Sequence, residues 1–93
     1  MAARVFEWDE PKAASNLAKH GVAFSYATTV FDDPMGIDAI DDRQNYGELR
    51  FNMIGKSPDN IVLFVTYTER GGRVRIISAR RASRQEKKTY DDQ

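Results

Sequence analysis

Residues 49–79, LRFNMIGKSPDNIVLFVTYTERGGRVRIISA, decide the fold. Leu49, Phe51 and Met53 alternate with Arg50 and Asn52, which predicts a half-buried strand over Leu49–Ile54. Gly55–Asn60 (GKSPDN) is a turn, rich in residues that tolerate unusual backbone angles. Ile61–Tyr67 (IVLFVTY) is apolar on both faces until Thr66, as expected of a strand with neighbours on each side. Gly71-Gly72 marks a two-residue hairpin. In Arg73–Ala79, Val74 and Ile76 share one face while Arg73, Arg75 and Ile77 share the other. The whole stretch reads as an antiparallel meander.

Working outward, Arg4–Trp8 reads as a short strand. Asp9 is placed to cap a helix, Pro11 is tolerated in its first turn, and Gly21 closes it. Ala13, Ala14, Leu17 and Ala18 form one apolar stripe along it, expected to face the core. Ser25 is expected to cap a second short helix through Phe31, ended by Asp33-Pro34. Met35–Ile40 is expected as an edge strand and Asp41–Gly47 as a polar loop. On the other side of the meander, Ser83–Glu86 has capping-box form and opens a last helix too short to be stable alone. The expected architecture is α+β: a small antiparallel sheet, two N-terminal helices and a short C-terminal helix, with the helices on one sheet face. Residues 1–93 are expected to form a single domain, in keeping with the prior of roughly 100–200 residues per domain.

Composition narrows the functions. Hydrophobic residues make up 41% and charged residues 30%, which is globular. No apolar run is long enough for a membrane span, and the opening MAARVFEWDE predicts no signal peptide, so a cytoplasmic location without membrane contact is expected. The absence of cysteine excludes disulfides, a thiol nucleophile and thiolate metal sites. A single histidine, His20, excludes a multi-histidine metal centre within one chain, and neither metal nor cofactor is expected. The net charge of zero conceals an asymmetry: residues 1–50 carry net −4 and residues 69–88 carry net +6. A basic C-terminal third on a neutral chain predicts a local site for a polyanion.

The N-terminal FEWDEPKAASNLAKHGVAF, the central GELRFNMIG and the C-terminal YTERGGRVRIISARRASRQEKKTY resemble BrnT-type toxins of bacterial type II toxin–antitoxin modules. The motifs WDxxKxxxNxxKHGVxF and RIISARRA occur in the same order and spacing, and the resemblance covers nearly the whole chain. It implies a fold similar to that of the RelE superfamily of small ribonucleases and an endonucleolytic RNA cleavage that arrests translation. It also implies a BrnA-like antitoxin with a ribbon-helix-helix DNA-binding end, promoter DNA being reached only through that antitoxin in a toxin–antitoxin complex.

Metal-free RNA cleavage needs few protein groups, because the ribose 2′-hydroxyl supplies the nucleophile. The protein must take its proton, stabilise the extra charge on the phosphoryl oxygens and protonate the leaving 5′-oxygen. Arginine suits the second task through its planar, permanently charged fork. Arg80 and Arg81 end the last strand on opposite faces, so one is expected on the open sheet face and the other toward the final helix. A solvated edge is the alternative for both. Arg73 and Arg75 share a face, as a phosphate-tracking stripe or as edge solubility, and Arg70 belongs to the same basic segment. Glu48 and Arg50 lie two residues apart, as a general base with its arginine or as a surface ion pair, and the GExR pattern of the resembled family favours the former. His20 is the natural acid or base by residue type, or else a helix C-terminal cap. Lys12 and Lys19 are phosphate contacts or solvated. Trp8 is a base-stacking platform or a core anchor. Tyr46, Tyr67 and Tyr90 each carry a phenol, and Glu86 and Tyr90 share a helical face. Three functions compete: a metal-independent ribonuclease toxin, a non-catalytic antitoxin-binding subunit that tunes repression, and a plain RNA-binding module.

Overall fold

The computed structural model describes residues 4–43 and 45–93. Met1–Ala3, part of the opening stretch read for a signal peptide, and Gln44, in the expected polar loop, lie outside the described residues. In chain order the elements are β1 (Phe6–Glu7), α1 (Glu10–His20), α2 (Phe24–Ala27) and a 3₁₀ turn (Thr28–Asp32). β2 (Ile37–Ile40), β3 (Phe51–Lys56), β4 (Val62–Arg70), β5 (Arg73–Arg81) and α3 (Arg84–Asp91) follow. The sheet order is β1-β5-β4-β3-β2, so the apolar strand β4 is central as its sequence requires. β2 through β5 pair antiparallel, and β1 adds a parallel edge against Val74 and Arg75. No hairpin ties β1 to β5, so nothing local forces the antiparallel sense there. Gly71 and Gly72 both take positive φ, +55° and +78°, as the tight turn between β4 and β5 demands.

One irregularity in β5 governs the rest. Tyr67 opposes Ile76 while the next β4 partner, Thr66, opposes Ser78, so Ile77 is an extra residue. Such a bulge inverts the side-chain alternation beyond it. Val74, Ile76 and Ala79 therefore share the helix side with Met53, Leu63, Val65 and Tyr67, where they pack on Phe24, Ala27, Val30 and Phe31. By the same register, Arg73, Arg75, Ser78 and Arg80 share the opposite, open face with Phe64, Thr66, Thr68 and Arg70 of β4 and with Asn52, Ile54 and Lys56 of β3. Phe6, Phe31, Tyr67 and Phe51 run as a chain of aromatic contacts, with centroids 5.0–5.3 Å apart, that ties the 3₁₀ turn to the sheet.

Four local expectations are corrected. The stripe of α1 faces the core only in part: Ala13 packs against it, but Leu17 is 50% exposed, and the buried side chain of the helix is Asn16. Two-residue β1 leaves the backbone of Ala79 unpaired, and satisfying that peptide matters more than covering alanines. Ser25 does not cap α2, which starts two residues earlier than that cap requires because Phe24 is drawn under the sheet; Ala23 holds the cap position without a side-chain bond. The first strand of the meander begins at Phe51, leaving Leu49 exposed. Finally, the helices do not share one face. α3 crosses the open face, where Arg80 pairs with its Glu86 and the Lys56 ammonium lies 5.5 Å from the Tyr90 ring.

Candidate active site

The bulge at Ile77 decides which cations meet. Arg73, Arg75 and Arg80 rise from β5 on the open face, joined by Arg70 from β4 and by Arg50 just before β3. Beneath them lies a polar floor of Asn52, Thr66, Thr68 and Ser78, with Thr66 Oγ1 2.8 Å from Asn52 Oδ1. Arg81 falls on the other side of the sheet. It lines a hollow of about 230 Å³ with Asn60, Ile61, Val62, Ala82 and Lys87, so the two adjacent arginines do not converge.

Each open-face guanidinium is held by a carboxylate. Arg70 Nη2 donates to Glu48 Oε1 at 2.9 Å, and Arg50 Nε donates to Glu48 Oε2 at 3.3 Å. The Arg50 guanidinium also lies 4.2 Å over the Tyr46 ring, which fixes its plane. The Arg70 hydrogen bond, reinforced by Arg50 against partial burial, holds the Glu48 carboxyl below the usual range. Glu48 is therefore ionised at neutral pH and competent to accept a proton, though less basic than an isolated glutamate. Glu48 and Arg50 both sit in the approach to β3 rather than on one face of a strand. Next in line, Arg73 opposes Arg70 across the hairpin. Glu7 of β1 takes Arg75 at 2.8 Å and Arg73 at 3.6 Å. Arg50, Glu48, Arg70, Arg73, Glu7 and Arg75 thus form one connected band.

Arg80 stands apart. Both of its terminal nitrogens donate to Glu86 at 2.8 Å, and its guanidinium stacks 4.4 Å over Phe64. Glu86 Oε1 also accepts from the Ser83 N–H, closing the capping box of α3. Burial opposes this charge, but the Arg80 hydrogen bonds win and lower the Glu86 pKa. Tyr90 docks the other end of α3: its hydroxyl donates to Asp33 Oδ2 at 2.6 Å, and burial together with that carboxylate pushes the phenol up to about 12. Tyr67 is shielded in the core, where burial raises its pKa. Both tyrosines pack and anchor.

The α1 cations form a second group. Lys12, Lys19 and His20 line a hollow of about 240 Å³ with Ser15, Asn16, Ile77 and Ser78, at the free edge of β5. His20 is exposed in the last turn of α1 and is not in the Glu48 cluster. Trp8 lies on the helix side. Its indole meets Phe24 edge-on at 6.0 Å and donates to Glu10, which is the anchoring arrangement. Among the described residues, no three His, Asp or Glu side chains gather to hold a metal ion. Among them too, no helix is long and apolar enough to cross a membrane.

Glu7, Glu86, Ser78 and Asn16 do not stand out as site residues by type. Glu86 is visible through the capping box and Asn16 through the motif spacing, whereas nothing local signals the bulge that brings Ser78 and Arg80 onto one face.

A family model described as the ribonuclease toxin BrnT of type II toxin–antitoxin systems matches residues 8–86. The 1.1 Å crystal structure of the Brucella abortus ribonuclease toxin BrnT superposes with a TM-score of 0.64 at 26% identity, covering 88% of this chain and 100% of that one. No curated protein matches the chain.

Proposed function

The chain belongs to the BrnT family of ribonuclease toxins of type II toxin–antitoxin systems, and from that premise we propose that its open sheet face cleaves RNA without a metal ion. Family membership gives the coarse frame: a ribonuclease toxin with an RNA target and a protein antitoxin. The observation that carries the finer reading is the Glu48 carboxylate held between Arg50 and Arg70, at the end of a band of arginines on one face.

In this reading Glu48 accepts the proton of the ribose 2′-hydroxyl as that oxygen attacks the adjacent phosphorus. Arg50 and Arg70 exchange part of their bonding from Glu48 to the phosphoryl oxygens as charge builds there. Arg73 and Arg75 follow the neighbouring phosphates. Solvent supplies the proton to the leaving 5′-oxygen, while His20 joins Lys12 and Lys19 in the hollow at the β5 edge, where they hold the RNA strand. Arg80 reaches a phosphate only by releasing Glu86. Arg81 contacts RNA from the rim, outside the band. Trp8 stays in its packed seat. The active unit is the single domain of residues 1–93, acting in the cytoplasm. A BrnA-like ribbon-helix-helix antitoxin covers the basic face and alone touches promoter DNA.

A second reading, binding of RNA or antitoxin without cleavage, is favoured by one feature: every open-face fork is already filled by Glu7, Glu48 or Glu86. Inducible expression of the chain alone separates the two. Growth arrest that is relieved by Glu48→Gln and by Arg75→Glu in folded protein supports cleavage. Wild-type chain that neither arrests growth nor cuts RNA when purified leaves only binding.

A further inference from the structure

β1 pairs with only Val74 and Arg75, so β5 beyond the bulge has no strand on that edge. The gap is filled by one side chain. Asn16 Oδ1 accepts from the Ala79 N–H at 3.1 Å, and Asn16 Nδ2 donates to the Ala79 carbonyl at 2.7 Å. The same amide nitrogen donates to the Val22 carbonyl at 3.0 Å, just past the end of α1. The carboxamide thus reproduces the donor–acceptor pair of a missing strand, and it is only 7% exposed.

We infer that Asn16 is a positioning residue for RNA cleavage, an assignment that rests on the reading given under Proposed function. It clamps β5 immediately after the extra residue Ile77, where alternation has just been reset and slippage would cost the least. A slip of one residue there returns Arg80 to the helix side and brings Arg81 to the open face. Asn16 also fixes the distance between α1 and β5. The hollow shared by Lys12, Lys19, His20 and Ser78 is built across that junction, so its width depends on this clamp. Asn16 is not a catalytic residue, being sealed between the helix and the strand edge. Its effect reaches the substrate through Ser78, Arg80 and the α1 cations.

The test uses Asn16→Ala and Asn16→Leu in the full chain, beside Val30→Ala as a core variant away from the clamp, chosen to match their loss in Tm. Amide exchange and chemical shifts are recorded by NMR, and cleavage of a fluorogenic RNA is followed under conditions where all three are folded. The inference expects Ala79 to lose protection and residues 77–81 to shift. It expects kcat to fall by about 100-fold, the scale of a misaligned substrate, with KM changed little, while Val30→Ala stays near wild type. Equal losses of kcat in the Asn16 and Val30 variants, or unshifted residues 77–81, overturn it. If the Asn16→Leu chain fails to fold, the Asn16→Ala variant alone decides. Wild-type protein without cleavage sinks the proposed function instead, and the NMR arm then judges the clamp by itself.

Discussion

At the scale of single residues, the molecule spends acidic side chains on holding cations in place. Glu48, Glu7 and Glu86 each face arginines on the open sheet face, and Asp41 does the same in the loop before β3. The Asp41 side chain is fully buried and accepts from Arg43 Nε at 2.8 Å and Nη2 at 2.7 Å, which lowers its pKa to about 2. A folded pKa below the unfolded one supplies stability above the unfolded value and loses it as the pH falls. Wild-type protein is therefore expected to lose this contribution between about pH 4 and pH 2. Asp41→Asn should flatten that part of a Tm-against-pH profile while costing about 1–3 kcal/mol at neutral pH. For Glu48, the lowered pKa predicts that the acid limb of the cleavage profile lies below the usual glutamate range. Glu48→Gln should cut kcat by about 10²-fold or more without weakening RNA affinity, since it removes a negative charge from the basic face. Retained kcat in that variant would mean that Glu48 is an ion-pair partner and no base.

At the scale of elements, close packing and caps set the response to mutation. A Cβ at Gly55 of β3 would come within 2.9 Å of Val30 Cβ and 3.0 Å of the Val30 carbonyl oxygen, so the 3₁₀ turn rests directly on strand backbone. Gly55→Ala is expected to destabilise by about 1–3 kcal/mol, read from urea midpoints, through overpacking. α3 is held by its capping box, the Arg80–Glu86 fork and the Tyr90–Asp33 bond. Tyr90→Phe should raise amide exchange throughout α3 while leaving β4 protected; an unchanged α3 would show that the fork alone docks it. Elements are legible in the sequence where one period dominates: the meander, the Gly71-Gly72 turn and the Ser83 capping box follow from alternation and turn chemistry. They are illegible where tertiary demand overrides the local pattern. Asn16 displaces an apolar stripe because a strand edge needs a partner. Ile77 carries no turn or glycine signal, so its bulge is invisible until the strands are paired. The side of the sheet taken by α3 depends on that bulge through Arg80, and is hidden for the same reason.

For the whole molecule, the neutral net charge divides between a basic open face and an acidic N-terminal half. RNA binding to such a face is expected to weaken with salt, by about 0.7 in slope of log affinity against log salt for each phosphate contact on a single strand. Arg73→Ala should reduce that slope by about one such increment, and Arg81→Ala by less, because Arg81 lies across the sheet. The ribonuclease assignment comes from the family, whereas our proposal that its chemistry sits on Glu48 and its arginines is supported by the ion pairs they form on the open face. Residue types and motif spacing name nearly all of these side chains. Their sorting into an open-face band, an α1 hollow and an isolated Arg81 requires three dimensions. The most direct measurement is end-group analysis of RNA cut by the purified protein in excess chelator. Attack by the ribose itself predicts undiminished cutting that leaves 2′,3′-cyclic phosphate and 5′-hydroxyl ends. Cutting abolished by the chelator, or fragments bearing 5′-phosphates, would contradict it.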